Sequence, residues 1–372
     1  MTISERDKLR LLDKLAHAQI SRRGLMFGGA AAGAAALLPA SARRALAAED
    51  SVGFCSWGGS LQELQRTHVL DPFTAESGIK VVEDSLPFPS RIKAMVDSGN
   101  LEFDVVQTDL LTILSLEDMG EYFEPIDYSM IDPAALAGIP EEVRLEKGVG
   151  YLYWSYNIAY RTDAFPDGAP QSWADVWDTE AFAGPRTLTS ADDGQYPALE
   201  FALLADGVAK EDLYPLDVDR AFAALDRIKP AVAKWWSSGS EVVQLYTSGE
   251  AATGSAYSGR ILTARNEGAP VDLNWNQGQA SLDYLMIVKG APMDRAMKLI
   301  NALLQVEPSV EVFNTYNGGP ANADVLAGLS EGRAADLPSY PENLSQMYVQ
   351  DSRWWADNLV PIIERFKEWS MI

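Results

Sequence analysis

From residue 51 onward, short apolar runs alternate with amphipathic stretches. That alternation predicts strands and helices in turn. Ser51–Ser56 reads as a strand, Trp57-Gly58-Gly59-Ser60 as a turn, and Leu61–Glu76 as a helix stopped by Gly78. Ile79–Glu83 is a second strand, Ser90–Ser98 a helix, Phe103–Gln107 a buried strand and Leu110–Met119 another helix. Repeated strand–helix units of this kind predict an α/β fold with a largely parallel sheet and binding groups at strand C-terminal ends. Val149–Arg161 is a long aromatic strand. After the Pro- and Gly-rich segment Phe165–Pro170 come a helix (Trp173–Asp178), a strand (Arg186–Thr189) and two helices (Ala198–Ala205, Asp217–Lys229). Glu250–Tyr257 holds a small-residue strand, Leu282–Val288 is an apolar strand and Asp294–Leu304 an amphipathic helix. The tail is helical and rich in tryptophan.

The first 47 residues follow a different pattern. A polar stretch leads to Ser21-Arg22-Arg23-Gly24-Leu25-Met26, then an Ala- and Gly-rich run to about Leu38, then Ala45-Leu46-Ala47. Charged start, short apolar run and small-residue cleavage site make an export signal, residues 1–47. Ala40-Ser41-Ala42 is an earlier candidate cleavage site. The paired arginines indicate the twin-arginine route, in which export follows folding. The apolar run is too short and Gly-rich for a good spanning helix, and no later apolar stretch reaches 18 residues. The expected location is therefore the periplasm.

Charge and composition narrow the chemistry. The chain has 30 basic and 53 acidic side chains, a net charge of −23. Residues 1–47 hold eight of the basic and three of the acidic ones, which leaves 22 and 50 and a net charge of −28 for the remainder. Such acidity disfavours nucleic acid as a partner. His68 is the single histidine after residue 47 and Cys55 the single cysteine. Multi-histidine sites, Cys-rich zinc sites and internal disulfides are excluded. His68 reads as a surface or half-buried helix residue and Cys55 as a buried inert thiol. No nucleophile elbow, phosphate loop, zinc motif or dinucleotide fingerprint is present, so no metal, cofactor or catalysis is expected.

Several segments, taken together, resemble the periplasmic solute-binding proteins of ABC transporters, most of all their spermidine/putrescine-binding branch. They are Phe73–Val81, Phe103-Asp104-Val105-Val106, Tyr156–Arg161 followed by Ser172–Trp177 and Phe182-Ala183-Gly184, Ala256–Arg260, Ala296–Leu304 and Gly318–Asn322. The resemblance runs through residues 51–372. It implies a two-lobed periplasmic-binding-protein fold (type II), each lobe a mixed, mostly parallel sheet flanked by helices, with a two-strand hinge. On that basis lobe 1 comprises residues 48–156 and 284–320, and lobe 2 residues 157–283 and 321–372. The strands cross between lobes near Trp154–Ile158 and Leu282–Tyr284. It also implies a monomer that closes on a small ligand and is recognised by a permease and its ATPase subunits.

In receptors of that branch, aromatic rings flank an alkyl chain and carboxylates pair with ammonium ends. Asp283 stands where the resemblance places a ligand-facing Asp, and an isolated carboxylate opening an apolar strand needs a partner. Arg260 stands where polyamine binders have a small residue. A guanidinium repels a dication and suits a carboxylate, which it grips through two hydrogen bonds. Arg260 and Asp283 together predict a zwitterion with carboxylate and amine at opposite ends, such as 4-aminobutyrate. Further candidates are Trp57, Gly58 and Gly59, whose turn N–H groups can meet a ligand carboxylate; Thr108 and Asp109 at a strand end, Asp109 being equally suited to cap the next helix; and Trp154 and Tyr257 as walls. Trp235 and Trp236 read as packing residues. Gly319 stands where the family often has Tyr, and Gly194–Pro197 interrupts an acidic segment that begins at Asp192 and Asp193. A polyamine receptor is the alternative reading, and a chemosensory receptor or a carboxylate-based enzyme the more distant ones.

Overall fold

The computed structural model describes residues 50–191 and 196–371. The expected export signal, residues 1–47, and the Asp192–Gln195 segment lie outside these residues. Eleven strands form one mixed sheet: β1 (Ser51–Ser56), β2 (Lys80–Ser85), β3 (Val105–Asp109), β4 (Phe123–Glu124), β5 (Val149–Arg161), β6 (Arg186–Thr189), β7 (Val232–Trp236), β8 (Thr253–Tyr257), β9 (Val271–Val288), β10 (Gly319–Pro320) and β11 (Tyr348–Val349). The main order is β2-β1-β3-β9-β5-β8-β6-β7, with β4 and β11 on β9 and β10 on β5. The β2-β1-β3 trio is parallel, as is β8-β6-β7. Between them β9 and β5 run antiparallel to each other and to their outer neighbours.

Apolar side chains gather into two cores. The first takes Phe54, Phe103, Val105 and Ile300, among others; the second takes Trp173, Phe201, Trp236 and Trp355. β5 contributes Val149, Tyr151 and Leu152 to the first and Tyr156, Ile158 and Ala159 to the second. β9 contributes Val271 and Leu273 to the second and Tyr284–Val288 to the first. These two strands each contribute to both cores. The C-terminal part of the chain divides: Val325, Leu329, Ala334 and Leu337 pack into the first core, while Tyr348, Trp355, Leu359 and Phe366 pack into the second.

Local differences from expectation have physical causes. The helix expected over 61–76 starts at Gly59 and contains a π turn, Arg66–Leu70, between α-helical Gly59–Gln65 and Asp71–Ser77. Gly78 ends it at φ 74°, a left-handed conformation that glycine adopts without steric cost. β9 is 18 residues long rather than seven, because its first half is a half-exposed polar stretch whose alternation is masked by Asn274-Trp275-Asn276-Gln277. Gly254 of β8 sits at φ 147°, and a Cβ there would lie 1.8 Å from the Thr187 carbonyl oxygen, so β8 and β6 can pair only with glycine at this position. Cys55 is buried, and burial pushes its thiol well above the usual range, as expected of an inert cysteine. His68 is half-buried within the π turn.

Candidate ligand-binding site

Asp283 lies on β9 at the passage between the cores, opposite Asp109 of β3 and Leu152 of β5. It is 1% exposed. Its Oδ2 accepts hydrogen bonds from Trp57 Nε1 and Gln107 Nε2, both at 2.8 Å, and its Oδ1 from Trp154 Nε1 at 3.0 Å. All three donors are neutral, and no cationic side chain pairs with Asp283 among the described residues. Burial pushes its carboxyl up to about 7, the neighbouring Asp109 charge adds to this, and the three donors work against it. Asp109 is half-buried and its carboxyl is also raised by desolvation. Its Oδ1 accepts from Thr112 N at 2.8 Å, so it caps the helix Leu110–Glu117 while facing Asp283. Two adjacent acids without a cation make this end of the passage suited to a positive charge.

Aromatic rings surround it in two layers. Trp57, Trp154, Tyr257 and Tyr316 are half-buried. Behind them Tyr156 and Trp236 are fully buried. Tyr156 stacks on Tyr257 at 4.5 Å with their hydroxyls 2.9 Å apart, Trp154 lies 5.9 Å from Tyr257, and Trp236 lies 5.4 Å from Tyr257. Tyr316 senses both candidate charges. Burial and the Asp283 charge raise its phenol to about 12, and Arg260 draws it down.

Arg260 is exposed, in the first turn of the helix Ser258–Asn266. A Cβ on Gly239 would come within 3.0 Å of Arg260 Nε and 3.5 Å of Tyr257 Cδ2, so the guanidinium chain lies over the start of a second helix, Gly239–Ser248. It has no acidic partner among the described residues. An unpaired guanidinium beside the positive ends of two helices makes a region of positive potential.

Most of the candidates therefore gather around one place. Asp283, Asp109, Trp57 and Trp154 form its acidic end. Tyr257 packs against Trp154 and Tyr156, and Arg260 lies with Tyr257 at Gly239. The Trp57 indole binds Asp283, which places the Trp57-Gly58-Gly59 turn beside the acidic end. Gly58 and Gly59 hold φ values of 76° and 61°, which lets the chain turn sharply into the helix. Thr108 alternates with Gln107 and Asp109, so it shares a face with Tyr284 and points away from Asp283. Trp235 packs on Phe366 and Trp369, and Trp236 bonds Ser255 O at 3.0 Å, so both pack as expected. A Cβ on Gly318, next to Gly319, would lie 2.7 Å from the Tyr316 ring. Gln107, Tyr156 and Tyr316 are the participants that the sequence reading missed.

Comparison with known proteins agrees with this architecture. Residues 68–343 match the family model described as bacterial extracellular solute-binding protein. The gamma-aminobutyric acid-binding protein of Pseudomonas aeruginosa is 34% identical over 339 residues, covering 89% of this chain and 94% of that protein. The spermidine/putrescine-binding periplasmic protein of Escherichia coli is 28% identical over 299 residues, covering 78% and 83%. The crystal structure of an ABC transporter substrate-binding protein from Bradyrhizobium japonicum superposes with a TM-score of 0.78 at 35% identity, covering 86% of this chain and 99% of that one.

Proposed function

The chain belongs to the bacterial extracellular solute-binding proteins, and from that premise we propose that it captures a short ω-amino acid of the 4-aminobutyrate type between two lobes. As a family member it is the substrate-binding component of an ABC transporter, not an enzyme, and it delivers a small molecule to a membrane permease and its ATPase. Lobe 1 is built around the first core and lobe 2 around the second, with β5 and β9 as the hinge. Asp283 takes the ammonium, aromatic rings flank the methylenes, and Arg260 takes the carboxylate. Gly58, Gly59 and Asp109 shape the acidic end. The twin-arginine signal exports the folded protein to the periplasm, where it acts as a monomer.

The observation that carries this reading is the pairing of two uncompensated charges of opposite sign around one aromatic group: buried Asp283 and unpaired Arg260. Burying Asp283 without a cation is costly, and a zwitterion supplies that cation while offering its carboxylate to the exposed Arg260. The gamma-aminobutyric acid-binding relative supports the same ligand class. The second reading, a polyamine, draws on the adjacent Asp109 and Asp283 and on the spermidine/putrescine-binding relative. Arg260→Ala separates the two. Loss of two charge-assisted bonds is expected to weaken 4-aminobutyrate binding by about 100-fold or more, with putrescine binding unchanged or improved. Calorimetry giving undiminished 4-aminobutyrate affinity in this variant contradicts the assignment.

A further inference from the structure

The Gln107 hydrogen bond to Asp283 exists only with the amide in one of its two orientations. The other end of that amide is already engaged: Gln107 Oε1 accepts from Gln65 Nε2 at 2.9 Å and from the Ser56 hydroxyl at 3.2 Å. Gln65 Nε2 also donates to the Tyr151 hydroxyl at 3.2 Å, and its Oε1 lies 3.1 Å from the Ser56 hydroxyl, whose single proton is shared between the two amide oxygens. Ser56, Gln65 and Gln107 are fully buried. The members come from β1, the helix Gly59–Gln65, β3 and β5. Turning the Gln107 amide over would set its oxygen against the Asp283 carboxylate and point its N–H groups at those of Gln65. Buried mismatches of that kind are strongly unfavourable.

Resting on the reading of the cleft given above, we infer that Gln65 is a positioning residue: it locks the Gln107 amide with its N–H toward Asp283, so that the carboxylate meets the ligand ionised and selects an amine over a hydroxyl at that end. The reason is local. A neutral donor stabilises the charged form of an acid. The other groups facing Asp283 are the Trp57 and Trp154 indoles, which help, and Asp109 of β3, which opposes. Tyr316 lies within its field, with Arg260 beyond. Without the Gln107 donor, Asp283 more readily holds a proton, and a protonated carboxyl can donate to a ligand hydroxyl as well as accept from it.

Two measurements on the whole protein test this. Calorimetry compares 4-aminobutyrate with 4-hydroxybutyrate, its hydroxyl analogue, in wild type and in Gln65→Met. The ratio of the two Kd values is expected to move by about tenfold toward the hydroxyl compound. A merely structural role would weaken both equally and leave the ratio alone, which overturns the inference. The second measurement is a carbon-13 titration of the Asp283 carboxyl, without ligand, in wild type, Gln65→Met and the smaller change Ser56→Ala. A higher midpoint in the variants supports the relay, and an unchanged midpoint refutes it. Should wild type bind neither acid, the ligand reading falls, and the carboxyl titration still decides the role of Gln65.

Discussion

Among the described residues, two carboxylates are pushed to about 7 by burial, and they sit in different surroundings. Asp283 lies among the Trp57, Trp154 and Gln107 side chains of the candidate site. Glu200 lies inside the second lobe, where its Oε1 accepts from the Tyr214 hydroxyl at 2.6 Å and from Trp355 Nε1 at 2.7 Å, while its Oε2 has no partner among the described residues. An acid whose folded value is raised binds more protons folded than unfolded. The associated stability is complete below its unfolded value of 4.5 and is lost as pH rises toward 7. The whole shift corresponds to about 3 kcal/mol. Glu200→Gln keeps both accepted bonds and removes the titration. It is expected to melt with wild type near pH 4 and several degrees higher at pH 8; melting curves that differ by a constant amount across this range contradict the argument. At this scale the sequence exposes the charged members of the site, because Asp283 opens an apolar strand and Arg260 departs from a familiar pattern. Gln107 escapes notice because an amide inside the strand Phe103–Gln107 carries no sign of what it bonds. Tyr316 escapes because it reaches the site from a loop far along the chain.

Among the elements, the helix Ser258–Asn266 carries the link between the lobes. Its Gly259 packs so closely on the loop after the helix Val306–Thr315 that a Cβ would lie 2.8 Å from the Asn317 carbonyl oxygen. Asn317 Nδ2 also donates to Thr263 Oγ1 at 2.8 Å. Tyr316 packs on the first core, whereas Ile261 and Leu262 belong to the second, so these contacts bring the lobes together. Arg265 adds a bond to Asp336 at 2.5 Å and Arg353 one to Asp118 at 3.0 Å. Such half-exposed pairs add little stability, so tight packing at Gly259 decides whether the lobes meet in this arrangement. Gly259→Ala is expected to weaken ligand binding about tenfold or more, since the clash arises only with the lobes together, and to change the melting temperature of the ligand-free protein by little. Unaltered affinity by calorimetry would count against this. The long strand β5 and most helices are legible from periodicity, which the packing obeys. The first half of β9 is not, because a hinge strand open to solvent on part of its surface loses the apolar alternation that marks a strand. The π turn at Arg66–Leu70 leaves no signature in the apolar spacing.

For the molecule as a whole, the parallel trios at the two ends of the sheet and the antiparallel β5–β9 pair between them give a natural place for a ligand, where both cores end. The family was legible from ordered motifs, none of them decisive alone, and the division into lobes only in outline. The packing of Val325–Leu337 on the first core depends on tertiary contacts that spacing cannot reveal. The net charge of −28 over residues 48–372 favours solubility and the approach of cations. In the proposed reading, ligand choice rests instead on the unpaired Arg260 and the buried Asp283. The direct test is calorimetric titration of the wild-type protein with 4-aminobutyrate and with putrescine. The predicted result is saturable one-to-one binding of 4-aminobutyrate that putrescine does not displace. Tight putrescine binding with no response to 4-aminobutyrate would contradict it.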